Sequence, residues 1–174
     1  MGEKKSRGLI QVYTGDGKGK TTAALGLAMR AVGQGMKVMF IQFIKGILCG
    51  EHAFVSQHNS FDIVQISVGD SFGKSKEQLG PEVQETLAYA ESEMLGGNYD
   101  LVILDEIFIA VNQGLITVEQ IIELLDKKPD SVELVLTGRK APSVIVQRAD
   151  LVTEMLMIKH PFADGIGGRK GIEY

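Results

Sequence analysis

Cysteine occurs once in the 174-residue chain, at Cys49, and tryptophan does not occur at all. A lone cysteine excludes an internal disulfide and any cysteine-based metal cluster, and it suits a reducing compartment. No apolar run approaches the roughly 18 residues that a membrane helix needs. The polar, basic start from Met1 to Arg7 runs straight into Leu9 without the apolar region of a signal peptide. These absences lead us to expect a cytoplasmic protein with no membrane partner. An excess of positive charge is also missing: 18 Lys and Arg stand against 22 Asp and Glu. The net charge of −4 gives no global field favouring nucleic acid or an anionic bilayer, so any anion must be held by local geometry. There is no internal repeat, low-complexity tract or linker. The length predicts a single domain over residues 1–174, large enough to bury roughly 70% of its unfolded surface.

Glycine is concentrated where it matters most. Residues 14–22 read Thr-Gly-Asp-Gly-Lys-Gly-Lys-Thr-Thr, between an apolar run over 9–13 and a long apolar helix pattern over 21–32. Gly15, Gly17 and Gly19 have no Cβ, so the backbone can curl into a nest of inward-pointing N–H groups. The following helix adds its positive dipole end and its unpaired first-turn donors. Lys20 supplies a mobile charge for phosphate oxygens, and Thr21 a hydroxyl for Mg²⁺. The residues expected to bind ATP phosphates are Thr14, Gly15, Asp16, Gly17, Lys18, Gly19, Lys20, Thr21 and Thr22. The spacing G-x-x-x-x-G-K-[ST] is met except at its first position, where Thr14 replaces glycine.

The 21–32 helix is apolar on every side, which predicts burial between layers. With the strand patterns at 9–13 and 37–43 it makes a right-handed βαβ unit. Residues 45–60 show no clear period and read as a loop with solvent-facing His52 and His58. A third strand is expected within 61–68, then a flexible polar loop over 69–80 on the ligand side. Pro81 is expected to open a helix whose core face is Val83, Leu87, Ala90 and Met94. Residues 100–106 are a run of aliphatics ending in Asp105 and Glu106, a buried strand delivering two carboxylates to the ligand-binding edge of a parallel sheet. Beside a phosphate loop such a pair is placed to hold Mg²⁺. Thr117 and Gln120 form a capping-box pattern ahead of another helix. The strand expected over 131–137 runs into Gly138 and Arg139, an arginine positioned to neutralise phosphate. A short helix over 141–149 and a last strand over 150–158 precede a glycine-rich tail, which is expected to fold over something.

These blocks together resemble the ATP:corrinoid adenosyltransferases. The similarity covers nearly the whole chain: the loop at 12–24, residues 42–46, 104–106, 136–139, 149–155 and 159–162, and the ending 169–174. It implies an α/β fold of the P-loop NTPase, RecA-like kind, with a mainly parallel sheet and helices on both faces. The implied reaction is transfer of the 5′-deoxyadenosyl group of ATP to Co(I) of a corrinoid, releasing triphosphate. On the matched positions, Lys20, Arg139 and Glu106 would be catalytic, and Thr21, Glu106 and Asp105 would bind Mg²⁺. The resemblance also implies a homodimer and a flavoprotein reductant. Members commonly carry an aromatic pair with tryptophan in the block matching 69–75. Here that block holds Phe72 alone, the candidate corrinoid contact. Some members also have a longer N-terminal segment over the site, so here a more open site is expected, or one covered by the tail or a partner subunit. Read without the resemblance, the residues also fit a generic P-loop ATPase or small-molecule kinase, or a non-catalytic nucleotide- or corrinoid-binding module.

Overall fold

The computed structural model describes residues 7–66 and 73–174. Among them six strands form one sheet: β1 (Ile10–Thr14), β2 (Val38–Gln42), β3 (Asp62–Gln65), β4 (Leu101–Asp105), β5 (Glu133–Thr137) and β6 (Leu151–Glu154), in the order β3-β2-β4-β5-β1-β6. Every pair is parallel, so all the strands point their C-terminal ends to one edge. This is the expected α/β, P-loop NTPase-like architecture.

The two-residue period of the strands sorts their side chains into two layers. Val38, Phe40, Leu101, Ile103 and Val135 pack with α1 (Lys20–Val32) on one face. Met39, Ile41, Val102, Leu104, Leu134 and Leu136 pack on the other, against α3 (Lys76–Leu95), α4 (Ile107–Asn112), α5 (Val118–Lys127) and α6 (Ser143–Arg148). The core face expected for α3, namely Val83, Leu87, Ala90 and Met94, is buried as predicted. The Thr117 capping box also forms, with Thr117 Oγ1 accepting from the Gln120 N–H at 3.2 Å.

Four expectations need correction. Helix α1 is not enclosed between layers: apart from Lys20 at its start it buries a single stripe of Ala24, Ala28 and Ala31, and Met29 is 67% exposed. Small side chains at this spacing let the helix lie close to the sheet while its other faces look outward. Residues 45–60 are not all loop, because α2 (Gly50–His58) forms there with only Val55 buried. His58 is exposed as expected, but His52 is partly buried, its Nδ1 accepting the Cys49 N–H at 3.0 Å. Pro81 does not open α3. Ser75 and Gln78 make a capping box that starts the helix at Lys76, and Pro81 sits inside the helix, where it gives up one helical hydrogen bond. The last strand is shorter than expected, because the chain leaves the sheet after Glu154 and packs on the glycine-rich loop. Phe72 and the part of the 69–80 stretch before Gly73 lie outside the described residues.

Candidate active site

Strand β1 ends at Thr14, and the loop to α1 turns through Gly15 at φ 96° and Gly19 at φ 120°, conformations that favour glycine. Gly17 is glycine for a different reason. Its N–H donates to the Met155 carbonyl at 2.7 Å, and a Cβ there would lie 2.6 Å from that same oxygen. The loop is thus seated against the strand leaving β6. Lys20 is 6% exposed, and its Nζ donates to the Gly15 and Gly17 carbonyls at 2.8 Å each. Burial pushes its pKa below the ordinary lysine value, and the Glu106 charge works against that. The loop from Asp16 to Thr22 forms one wall of a cavity of about 530 Å³. Asp105, Glu106 and Arg139 line it, as do Lys45 and Glu51 on one side and Gly171 to Tyr174 on another.

Strand register assembles the acidic wall. Gln42 stands opposite Asp105, Leu104 opposite Leu136, and Tyr13 opposite Thr137, so Gln42, Asp105 and Thr137 end their strands at one level. Asp105 is 1% exposed. Its Oδ1 accepts from Thr137 Oγ1 at 2.7 Å and from Thr21 Oγ1 at 3.0 Å, and its Oδ2 accepts from Gln42 Nε2 at 3.3 Å. Burial pushes its carboxyl above the ordinary value, and the two hydroxyl donors oppose this. Glu106 follows in the left-handed region, φ 60° and ψ 21°, at a cost of about 1–3 kcal/mol for a non-glycine residue. Its Oε2 is buried without a hydrogen-bond partner. Burial raises its pKa, the Asp105 charge raises it further, and Lys20 and Arg139 pull it down.

Arg139 faces the cavity with more than half of its side chain exposed, its guanidinium 3.9 Å from the Asp16 carboxylate. Thr14 is placed differently from the other loop residues. It does not line the cavity, and its hydroxyl accepts the Ala141 N–H at 3.1 Å. The residue that departs from the usual loop pattern thereby ties β1 to the segment after Arg139. Lys18 pairs with Glu173 at 2.9 Å, and Glu173 also pairs with Arg169 at 3.0 Å. The tail expected to fold over something therefore folds over the glycine-rich loop, with Tyr174 on the cavity wall.

Sequence reasoning missed Gln42, Lys45, Glu51, Thr137 and Glu173. Residues 42–46 and 136–139 stand out in the sequence as blocks, but only strand register reveals that Gln42 and Thr137 meet Asp105. Lys45 and Glu51 pair at 2.6 Å across the turn into α2. Cys49, Glu51 and His52 also converge, but Glu51 is held by Lys45 and His52 Nδ1 by the Cys49 N–H. As for a divalent cation, Thr21 gives its hydroxyl hydrogen to Asp105 and keeps its lone pairs, and Glu106 offers an oxygen with no donor. A hydroxyl and a carboxylate are the hard oxygen donors that Mg²⁺ takes beside phosphates.

Residues 6–174 match the family described as ATP:corrinoid adenosyltransferase BtuR/CobO/CobP. The chain is 37% identical to a corrinoid adenosyltransferase of Sinorhizobium sp, with 97% of this chain and 81% of that protein aligned. It is 33% identical to the corrinoid adenosyltransferase of Escherichia coli (strain K12), over 97% and 86%. It is 32% identical to corrinoid adenosyltransferase CobA of Salmonella typhimurium (strain LT2), over 98% and 88%.

Proposed function

The chain belongs to the ATP:corrinoid adenosyltransferase family, and from that premise we propose which of its residues carry the transfer. It is an enzyme of cobalamin biosynthesis that moves the adenosyl group of ATP to a corrinoid. The reaction forms a bond from cobalt to C5′ of the ribose as the C5′–O bond breaks. Co(I) supplies the electron pair of the new bond, and triphosphate leaves with the pair of the old one. The nucleophile belongs to the corrinoid substrate, so the protein needs no general base. Its task is to align the two substrates and to stabilise charge on the leaving triphosphate.

The N–H groups from Gly15 to Thr22 and the Lys20 ammonium hold the triphosphate. Thr21 and Glu106 hold Mg²⁺, and Asp105 acts behind them by fixing the Thr21 hydroxyl. When bound, the cation neutralises part of the triphosphate charge. Arg139, whose guanidinium lies 3.9 Å from Asp16 of the loop, clamps the leaving group. The observation that most supports this reading is the buried, unpartnered Oε2 of Glu106 in the same cavity as Lys20 and Arg139, because a buried carboxylate oxygen with no donor fits a site completed by a cation. We also infer a cytoplasmic homodimer that receives electrons from a flavoprotein, on the strength of the family resemblance. No described helix is long and apolar enough to cross a membrane.

Arg139→Ala tests the clamp. Turnover with ATP and chemically reduced cobalamin should fall by about 10², the usual scale for loss of a leaving-group contact. The melting temperature should not move, since the side chain is more than half exposed and its ion pair with Asp16 spans 3.9 Å. A variant that turns over at the wild-type rate would remove Arg139 from the site.

A further inference from the structure

Thr137 lies at the end of β5 with no exposed surface, and its hydroxyl does two things at once. It accepts the Glu106 N–H at 2.9 Å and donates to Asp105 Oδ1 at 2.7 Å. The first bond fixes the backbone of a residue held in the left-handed region, and the second fixes the carboxylate that holds Thr21. The next residue supports the same turn. Gly138, at φ +139°, lets Phe108 sit where a Cβ would be 2.8 Å from Phe108 Cβ and 3.0 Å from its N. The first turn of α4 can therefore approach β5 closely enough for the Glu106 N–H to reach the hydroxyl.

We propose that Thr137 is the positioning residue of the site: its single hydroxyl aims Glu106 and, through Asp105, Thr21, setting the pair of oxygens that receives the cation of the ATP complex. This rests on the reading of Glu106 and Thr21 as the cation's donors. Serine can make both bonds and valine neither, although valine keeps the shape. A group that orients metal donors from behind typically changes metal affinity or activity by about 10- to 100-fold when removed. Because one of its two bonds works through Glu106, removal of the hydroxyl should cost less once the Glu106 carboxylate is gone, the remainder passing through Asp105 and Thr21.

The test compares Thr137→Val, Thr137→Ser, Glu106→Gln and the Thr137→Val/Glu106→Gln double variant. For each, turnover is measured with reduced cobalamin, and ATP affinity is measured by calorimetry with and without Mg²⁺. Thr137→Val should lower kcat about 10- to 100-fold and abolish most of the Mg²⁺-dependent gain in ATP affinity, leaving Mg²⁺-free affinity unchanged. Thr137→Ser should stay within about threefold of wild type. In the Glu106→Gln background the valine substitution should cost clearly less than it does in the wild-type background, leaving the part that runs through Asp105 and Thr21. If Thr137→Val does not fold, Thr137→Ala gives the same comparison. The proposal fails if the variant lacking the hydroxyl keeps the wild-type rate, if serine is no better than valine, or if the effect is undiminished beside Glu106→Gln. A Glu106→Gln enzyme as fast as wild type overturns the assignment of Glu106 itself. A slow Glu106→Gln with a fast Thr137→Val overturns only the role of Thr137.

Discussion

Lys20→Ala should lower turnover by about 10²- to 10³-fold, the range seen when a preorganised donor to a developing charge is removed. In the described structure the ammonium is held by the Gly15 and Gly17 carbonyls at 2.8 Å each, so the lysine braces the loop as well as carrying charge toward the cavity. The substitution removes both functions, and KM for ATP should rise together with the fall in kcat. Lys20→Arg should not rescue it. The site is 6% exposed, and a planar five-donor fork cannot replace a compact ammonium seated between two carbonyls. The fold should survive, because burial already works against the Lys20 charge and alanine relieves that cost. Melting within a few degrees of wild type, together with the lost turnover, would place the effect in the site. Near-wild-type kcat and KM would contradict the assignment of Lys20.

Glu106→Gln carries the other large effect, and it separates activity from stability. Turnover should fall by about 10² or more, because the amide keeps the shape and loses the charge. Stability should move the opposite way at neutral pH. Burial and the neighbouring Asp105 raise the Glu106 pKa above the ordinary 4.5 in the folded protein. Between 4.5 and that raised value the folded state binds more protons than the unfolded one, so stability falls as pH rises through the window. Above it, the ionised carboxylate keeps its full cost. Glutamine has no such cost, so the variant should melt higher than wild type at pH 7. The gap should narrow as pH drops below the folded-state value and close near the ordinary 4.5, where the side chain is protonated in both states. Melting curves of the two metal-free proteins from about pH 8 down to about pH 4 check this. A variant that is less stable across the range, or that keeps its turnover, would sink the reading of Glu106 as a buried, ionised donor.

The parts of the site that depend on local sequence were legible in it. The alternating Gly15, Gly17 and Gly19 before Lys20-Thr21 require a particular backbone, and an aliphatic run ending in Asp105 and Glu106 describes a buried strand of a parallel sheet. The sheet itself followed from those runs. Helix α2 was not legible because its sequence has no apolar period: it buries Val55 and leaves Phe54 half exposed. The start of α3 carried a usable signal in Ser75 and Gln78, which the helix-opening reputation of proline obscured. Other features lie beyond any local reading. Gln42 and Thr137 reach Asp105 only because β2 and β5 flank β4. Lys18 and Glu173 pair across 155 residues, and nothing short of the fold brings a C-terminal glutamate to a phosphate loop. Thr14 looked like a defect in the loop pattern until the structure showed its hydroxyl on the Ala141 N–H.

The central claim, that this cavity carries adenosyl transfer with triphosphate as the leaving group, is tested most directly by the identity of both products. The purified protein is incubated anaerobically with ATP, Mg²⁺ and chemically reduced cob(I)alamin. The corrin spectrum is followed while the phosphate products are resolved by ion exchange. Adenosylcobalamin and triphosphate formed one for one are the predicted result. ADP and phosphate released without any change in the corrin spectrum would contradict it.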